Sequence, residues 1–154
     1  MKNTTDKDSF FIMTERIAFG LNVGESPIHG TGCFAEVAFR RNQRLAEYVG
    51  ERICLVEAER RRQAFGEQSI CDIDTEWAID GSRGGNATQY VNHSCQPNCY
   101  IVISEGRIFL HALREIAPGE EITTNYRDEL YSERTKCCCG TVSCGENTST
   151  PTPY

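Results

Sequence analysis

Asn92-His93-Ser94-Cys95-Gln96-Pro97-Asn98 puts a cysteine inside a polar loop, and Cys137-Cys138-Cys139-Gly140-Thr141-Val142-Ser143-Cys144 supplies more cysteines near the C-terminus. Cys137, Cys139 and Cys144 follow the pattern C-x-C-x4-C, and Cys95 is available as a fourth ligand. A structural zinc ion is tetrahedral and favours four closed Cys or His ligands, because soft thiolates suit it and leave no open position for chemistry. Cys138 competes for the ion, but using the neighbours Cys138 and Cys139 would leave Cys137 idle and strain the chelate. A site closed by Cys95, Cys137, Cys139 and Cys144 would pull the tail back onto the loop carrying Asn92 and His93. The metal would then help to build a site without catalysing anything.

The bulk of the chain narrows the setting. Its 154 residues suggest one domain with a modest core. A formal charge of -6 and a pI near 5.1 argue against direct nucleic-acid binding, which needs a basic face. Mild acidity permits steering of a lysine-rich partner, although it is also ordinary for a soluble protein. No stretch is long and apolar enough for a membrane span, and the polar start lacks a signal-peptide core. Nine cysteines without such a signal fit thiols and metal in a reducing, intracellular compartment better than a disulfide framework. In a eukaryote such compartments include the nucleus, and in a bacterium the cytoplasm. Beyond the ligands, Cys33, Cys54, Cys71, Cys99 and Cys138 read as small core or surface thiols.

Residues 1–14 are polar and expected to be flexible, and 147–154 form a Thr- and Pro-rich tail of disordered composition. Between them, short apolar runs are broken by Gly, Pro, Asn and Asp, which is the rhythm of a mainly β fold. The clearest hairpin is Ile101–Ala112, two β-branched or aromatic runs around Glu105-Gly106. Further strands are expected near Ile17–Val23, Gly32–Ala35, Arg44–Val49 and Ile122–Asn125. One helix is expected at Leu55–Phe65, with Glu57 and Arg61 paired on its exposed face. Trp77 falls in a strand, where tryptophan is more often core than functional.

Several residues carry chemistry. Gly30-Thr31-Gly32 would let a ligand approach bare backbone, yet an isolated Gly-x-Gly is usually a plain turn. It is not a dinucleotide fingerprint, because the third glycine and the following helix are missing. Asn92 offers a donor and an acceptor. His93 is open to reading as a metal ligand, a general base or part of a loop cap.

These residues stand in ordered blocks: Ser26-Pro27-Ile28-His29-Gly30-Thr31-Gly32-Cys33-Phe34-Ala35, Glu47-Tyr48-Val49-Gly50-Glu51, and Ile79-Asp80-Gly81 with Gly85-Asn86. The Asn-His-Ser-Cys loop, Pro118-Gly119-Glu120-Glu121-Ile122-Thr123 and Tyr126 complete the series. In this order and spacing, from about Ile17 to Gly145, the chain resembles the SET-domain protein lysine methyltransferases with a post-SET zinc segment. The resemblance implies a mainly β SET (β-clip) fold of small curled sheets, a threaded C-terminal segment and one short helix. It divides the chain into a SET domain at 15–131 and a zinc-stapled post-SET segment at 132–146. With no cysteine-rich block upstream, it points to a small stand-alone form lacking a pre-SET region.

The resemblance also implies an activity, methyl transfer from S-adenosylmethionine to lysine Nζ of a histone or other Lys-rich tail. It places the cofactor on His29, Gly30, Thr31, Gly32, Asn92 and His93, the last through its backbone toward the adenine with its side chain structural rather than an acid or base, and has Tyr131 packing on that ring. Tyr126 falls on the essential tyrosine. Tyr48 resembles a wall of the lysine channel, with core packing as a competing role, and Tyr90 lines the channel or packs in the core. Thr124 stands two before Tyr126, where relatives usually carry Phe or Tyr; the extra room leans toward di- or trimethylation, while a water held by the threonine hydroxyl would restrict it. Arg127 and Gln89 also depart from the usual Gly and Arg. The alternative is a catalytically weak SET module that binds a peptide or partner.

Overall fold

A computed structural model of the chain describes residues 19–65, 69–126, 139–142 and 144. The segment 1–14, the tail 147–154, the first residues of the strand expected at 17–23, and the site candidates Tyr131 and Cys137 lie outside these.

A curled three-stranded sheet forms the centre. It joins β3 (Arg44–Tyr48), β8 (Cys99–Ser104) and β9 (Arg107–Ala112) in the order β3-β9-β8, all antiparallel. The β8–β9 hairpin matches expectation. Glu105 (φ 52) and Gly106 (φ 71) are both left-handed, the geometry of a turn whose twist agrees with that of the strands. Along β9, Ile108, Leu110 and Ala112 alternate into the core and are at most 1 % exposed. Phe109 points the other way yet is buried, because the guanidinium groups of Arg44 and Arg107 lie over its ring at 4.1 and 5.1 Å.

Around it lie β1 (Leu21–Glu25) with β2 (Thr31–Ala35), and a second three-stranded sheet of β4 (Glu51–Cys54), β5 (Ile70–Asp72) and β6 (Trp77–Asp80), with β6 central. Gly50, in the turn from β3 to β4, has no room for a side chain. A Cβ there would meet the Asp80 carbonyl oxygen at 2.2 Å. The helix α1 (Leu55–Phe65) has the expected bounds and packs on this second sheet.

Two expectations need correction here. Glu57 and Arg61 do pair, at 2.7 Å, but Arg61 is buried rather than exposed. Its guanidinium also takes Glu51 of β4 at 2.7 Å and Asp80 of β6 at 2.6 Å. Helical spacing alone cannot reveal carboxylates arriving from other strands. Trp77, expected in the core, is 37 % exposed and lies beneath Arg52 at 4.9 Å.

Two very short strands close the fold, β7 (Asn92–His93) and β10 (Thr123–Thr124). They pair in parallel, Asn92 with Thr123 and His93 with Thr124. On one side, Ala35 N–H donates to Glu120 C=O (2.9 Å) and Ile122 N–H to Cys33 C=O (2.7 Å). On the other, Ser94 N–H donates to Thr124 C=O (2.9 Å) and Asn98 N–H to Thr123 C=O (3.2 Å). Asn98 is 2 % exposed; its amide donates to Glu121 C=O (2.7 Å) and accepts from Thr123 N–H (2.9 Å). Residues 120–124 are thereby gripped between β2 and the loop that carries Cys95.

Candidate active site and cysteine cluster

The Ser26–Gly30 turn is tied by Ser26 N–H donating to Gly30 C=O at 2.8 Å. Ser26 Oγ accepts from the backbone N–H groups of Ile28 (3.0 Å) and His29 (3.3 Å) and donates to Glu121 Oε1 at 2.7 Å. Asn92 Nδ2 lies 2.8 Å from the same carboxylate oxygen, 3.1 Å from Ser26 Oγ, 3.1 Å from Thr31 C=O and 3.3 Å from His29 C=O. One carboxylate therefore gathers the turn, β2 and β7 to a single point.

Gly32 makes that possible, since a Cβ there would stand 2.5 Å from Glu121 Oε1. Gly30 is left-handed (φ 47), with nothing within 4 Å of where its Cβ would be. Bare backbone thus faces open space beside Asn92. The second oxygen of Glu121 is buried without a hydrogen-bond partner among the described residues. The open backbone at Gly30 leaves this edge of the turn accessible to a ligand. Burial, with the Glu121 charge as a second cause, pushes the Cys33 thiol up to about 12.

Tyr126 stands at the exit of β10 and is 38 % exposed. Its O–H donates to Val91 C=O at 2.5 Å, and its ring faces that of His93 at 5.4 Å and 49°. Its backbone N–H donates to His93 Nδ1 at 3.1 Å, and His93 Nε2 lies 3.5 Å from Cys95 Sγ. Thr124 is buried beside them in β10. Tyr48 belongs to the core, and its O–H donates to Ser69 C=O at 2.5 Å. Tyr90 ends a 3-10 turn at Ala87–Tyr90 and is 38 % exposed.

The described residues contain a metal-competent cluster: Cys95, Cys139 and Cys144 hold their sulfurs within 4.8 Å of one another. Thiolates bound to a tetrahedral zinc at ~2.3 Å stand roughly 3.8 Å apart, so small movements would complete such a site. Cys139 and Cys144 are buried, Gly140 turns the chain between them at φ 69, and Cys144 N–H donates to Thr141 C=O at 3.1 Å. Three soft donors fit a zinc-like ion.

The structure brings together Asn92, His93, Thr124, Tyr126 and Cys95, and sets His29 to Gly32 against Asn92. Sequence reasoning gave no role to Ser26, Val91, Asn98 or Glu121, although Ser26, Asn98 and Glu121 stood in the quoted runs. The available signal was a carboxylate directly before the apolar Ile122.

Residues 30–127 match the SET domain family. The chain is 33% identical over 133 residues to histone-lysine N-methyltransferase set-2 of Caenorhabditis elegans, covering 80% of this chain and 9% of that protein. It is 35% identical over 133 residues to the histone-lysine N-methyltransferase, H3 lysine-4 specific, of Schizosaccharomyces pombe, covering 80% and 14%. Among solved structures, the Chaetomium thermophilum Polycomb Repressive Complex 2 bound to GSK126 matches with a TM-score of 0.65 and 28% identity, over 71% of this chain and 16% of that one. The chain thus spans a small part of the length of these relatives.

Proposed function

The chain belongs to the SET-domain family, and from that premise we propose that it is a protein-lysine N-methyltransferase using S-adenosylmethionine. The observation that carries this reading is Tyr126, its hydroxyl fixed on Val91 C=O and its backbone on His93, at the end of the β7–β10 pair. When bound, the cofactor supplies a methyl group on a positively charged sulfur. The backbone of His29 to Gly32 and the Asn92 side chain would hold its amino-acid end and the His93 backbone would serve its adenine end, with Tyr131, outside the described residues, as the further residue the family resemblance assigns there.

Methyl transfer to an amine is an in-line displacement, so alignment supplies much of the rate. Tyr126 donates its own proton to Val91 C=O, so toward an N–H of the incoming amine its oxygen would act as an acceptor. The lysine attacks as the neutral amine. A dry channel, with Tyr90 and the edge of the core residue Tyr48 as its proposed walls, would disfavour the ammonium, and a neighbouring positive charge would act the same way. Thr124 leaves room for a second or third methyl. Cys95, Cys139 and Cys144, with Cys137 as the fourth ligand expected from the sequence, would hold one structural zinc and leave no open position for chemistry.

The proposed substrate is an extended Lys-rich tail, a histone tail first among them, bound as an added strand. Such a substrate places the protein on chromatin in a eukaryote. The test is transfer of labelled methyl to core histones and to whole-cell lysate, with Tyr126→Phe as control and mass spectrometry to count methyls. Labelling that drops about 100-fold in the variant supports the enzyme. A wild-type protein that binds the cofactor and labels nothing sinks it, and product confined to monomethyl-lysine overturns the reading of Thr124.

A further inference from the structure

We propose that the His93 side chain is a positioning residue that couples the Cys95 sulfur to the backbone of Tyr126, a role separate from its backbone's place in the cofactor site. The proposal rests on the reading of Tyr126 as the residue that orients the amine. His93 uses its two ring nitrogens in opposite directions. Nδ1 accepts the Tyr126 backbone N–H at 3.1 Å, so in the neutral ring the hydrogen sits on Nε2. Nε2 in turn faces Cys95 Sγ at 3.5 Å, and that sulfur belongs to the Cys95, Cys139 and Cys144 cluster.

A ring that merely filled space would not need both nitrogens engaged, one on each functional group. The ring also packs against the Tyr126 ring, with centroids 5.4 Å apart. The backbone of His93 is meanwhile registered on Thr124 in the β7–β10 pair, so the side chain makes a second, independent link to the same strand exit. When a metal holds Cys95 as the thiolate, the N–H···S contact becomes charge-assisted and fixes the plane of the ring. The plane of the ring sets where the Tyr126 N–H must point, and through it where the tyrosine enters the site. Partners one step removed from a metal ligand orient their neighbours in this way.

Two substitutions separate the halves of the link. In His93→Asn the side-chain oxygen falls near the Nδ1 position and still accepts from Tyr126, but nothing reaches Cys95. In His93→Gln the amide nitrogen falls near the Nε2 position and still reaches Cys95, but the side chain no longer accepts the Tyr126 backbone N–H. Metal-loaded wild type and both variants are compared by metal content, by kcat and KM for methyl transfer, and by amide hydrogen exchange at Tyr126.

The expected result is unchanged metal content in all three, with KM for S-adenosylmethionine within about threefold and kcat lowered roughly 10–100-fold in both variants. Tyr126 exchange should rise roughly tenfold in His93→Gln, the equivalent of one lost hydrogen bond, and stay near wild type in His93→Asn. Unaltered Tyr126 exchange in His93→Gln overturns the proposal. So does a fall in activity that merely follows loss of metal or weaker cofactor binding. Should His93→Gln fail to fold, the metal-stripped wild type decides: Tyr126 exchange must accelerate while that of the buried Ile108 does not. A wild type without transferase activity defeats the proposed function alone, because the exchange pattern still decides the coupling.

Discussion

The Arg61 cluster and the Glu121 cluster each tie together elements far apart in sequence by a charged group, yet they leave it in different states. Arg61 collects Glu51 from β4, Glu57 from its own helix and Asp80 from β6, all at 2.6–2.7 Å. Asp80 uses its other oxygen on the backbone N–H and hydroxyl of Ser82. Hydrogen bonds from Arg60 and Arg61 hold the Glu57 carboxyl down at about 2, and the Arg61 hydrogen bond lowers Glu51 as well. Burial pushes Asp80 up, but its bonds from Ser82 and Arg61 outweigh that and keep it below its ordinary value. Glu121 differs. One oxygen serves Ser26 and Asn92, the other has no partner among the described residues, and the backbone at Gly30 is bare. A network whose charges are paired on every side is a fastener, whereas the Glu121 cluster borders a turn whose backbone is open at Gly30.

The most drastic way to test that contrast is to remove the metal. Structural zinc contributes roughly 10–16 kcal/mol of apparent binding energy in small peptide sites. Chelation is therefore expected to abolish S-adenosylmethionine binding in a calorimeter while far-UV circular dichroism keeps the signal of α1 and its sheet. Simultaneous loss of both would show the two regions to be one cooperative unit.

Glu121→Ala comes next. It strands the Asn92 amide and Ser26 hydroxyl together and should weaken cofactor binding about 100-fold, two charge-assisted hydrogen bonds being at stake. The Tm should move only slightly. Arg61→Met should show the reverse: cofactor affinity within about twofold, but a larger fall in Tm than the exposed control Arg60→Met, because Asp80 is left buried without its counter-charge. Equal effects of these two arginine variants would erase the distinction between fastener and ordinary surface pair.

The smallest effect is on pH dependence. The folded carboxyls of Glu57, Glu51 and Asp80 lie below their unfolded values, so their contribution is complete above the ordinary glutamate value of 4.5. It is lost as pH falls from there toward about 2, where Glu57 titrates in the fold. Thermal melts across that window should decline steeply in wild type and less so in Arg61→Met. Parallel curves would mean that other carboxylates govern acid unfolding.

Much of this was legible in the chain. The β8–β9 hairpin and α1 announce themselves because each is long enough to show a period, with Glu105-Gly106 marking the turn between strands. Cys139 and Cys144 were legible because metal-ligand spacing is a local pattern, whereas Cys95 entered as an available fourth ligand that only the fold brings beside them; Cys137 lies outside the described residues. Two-residue strands such as β7 and β10 have no period to read, and their parallel pairing exists only in the fold. Glu121 and Arg61 look like solvated charges in sequence, since what removes them from solvent arrives from distant strands. Ordered motifs, rather than periodicity, pointed to Asn92, His93 and Tyr126.

With a metal held by Cys95, Cys139 and Cys144, residues 95–139 become a closed ring of chain, and Glu121, Thr124 and Tyr126 all lie inside it. Closing a ring of that length removes freedom from the unfolded chain worth about 4 kcal/mol by the chain-entropy treatment of cross-links. A strand within a ring has no free end. It cannot be lost by fraying, and leaves the site only when a sulfur lets go or the whole ring unravels.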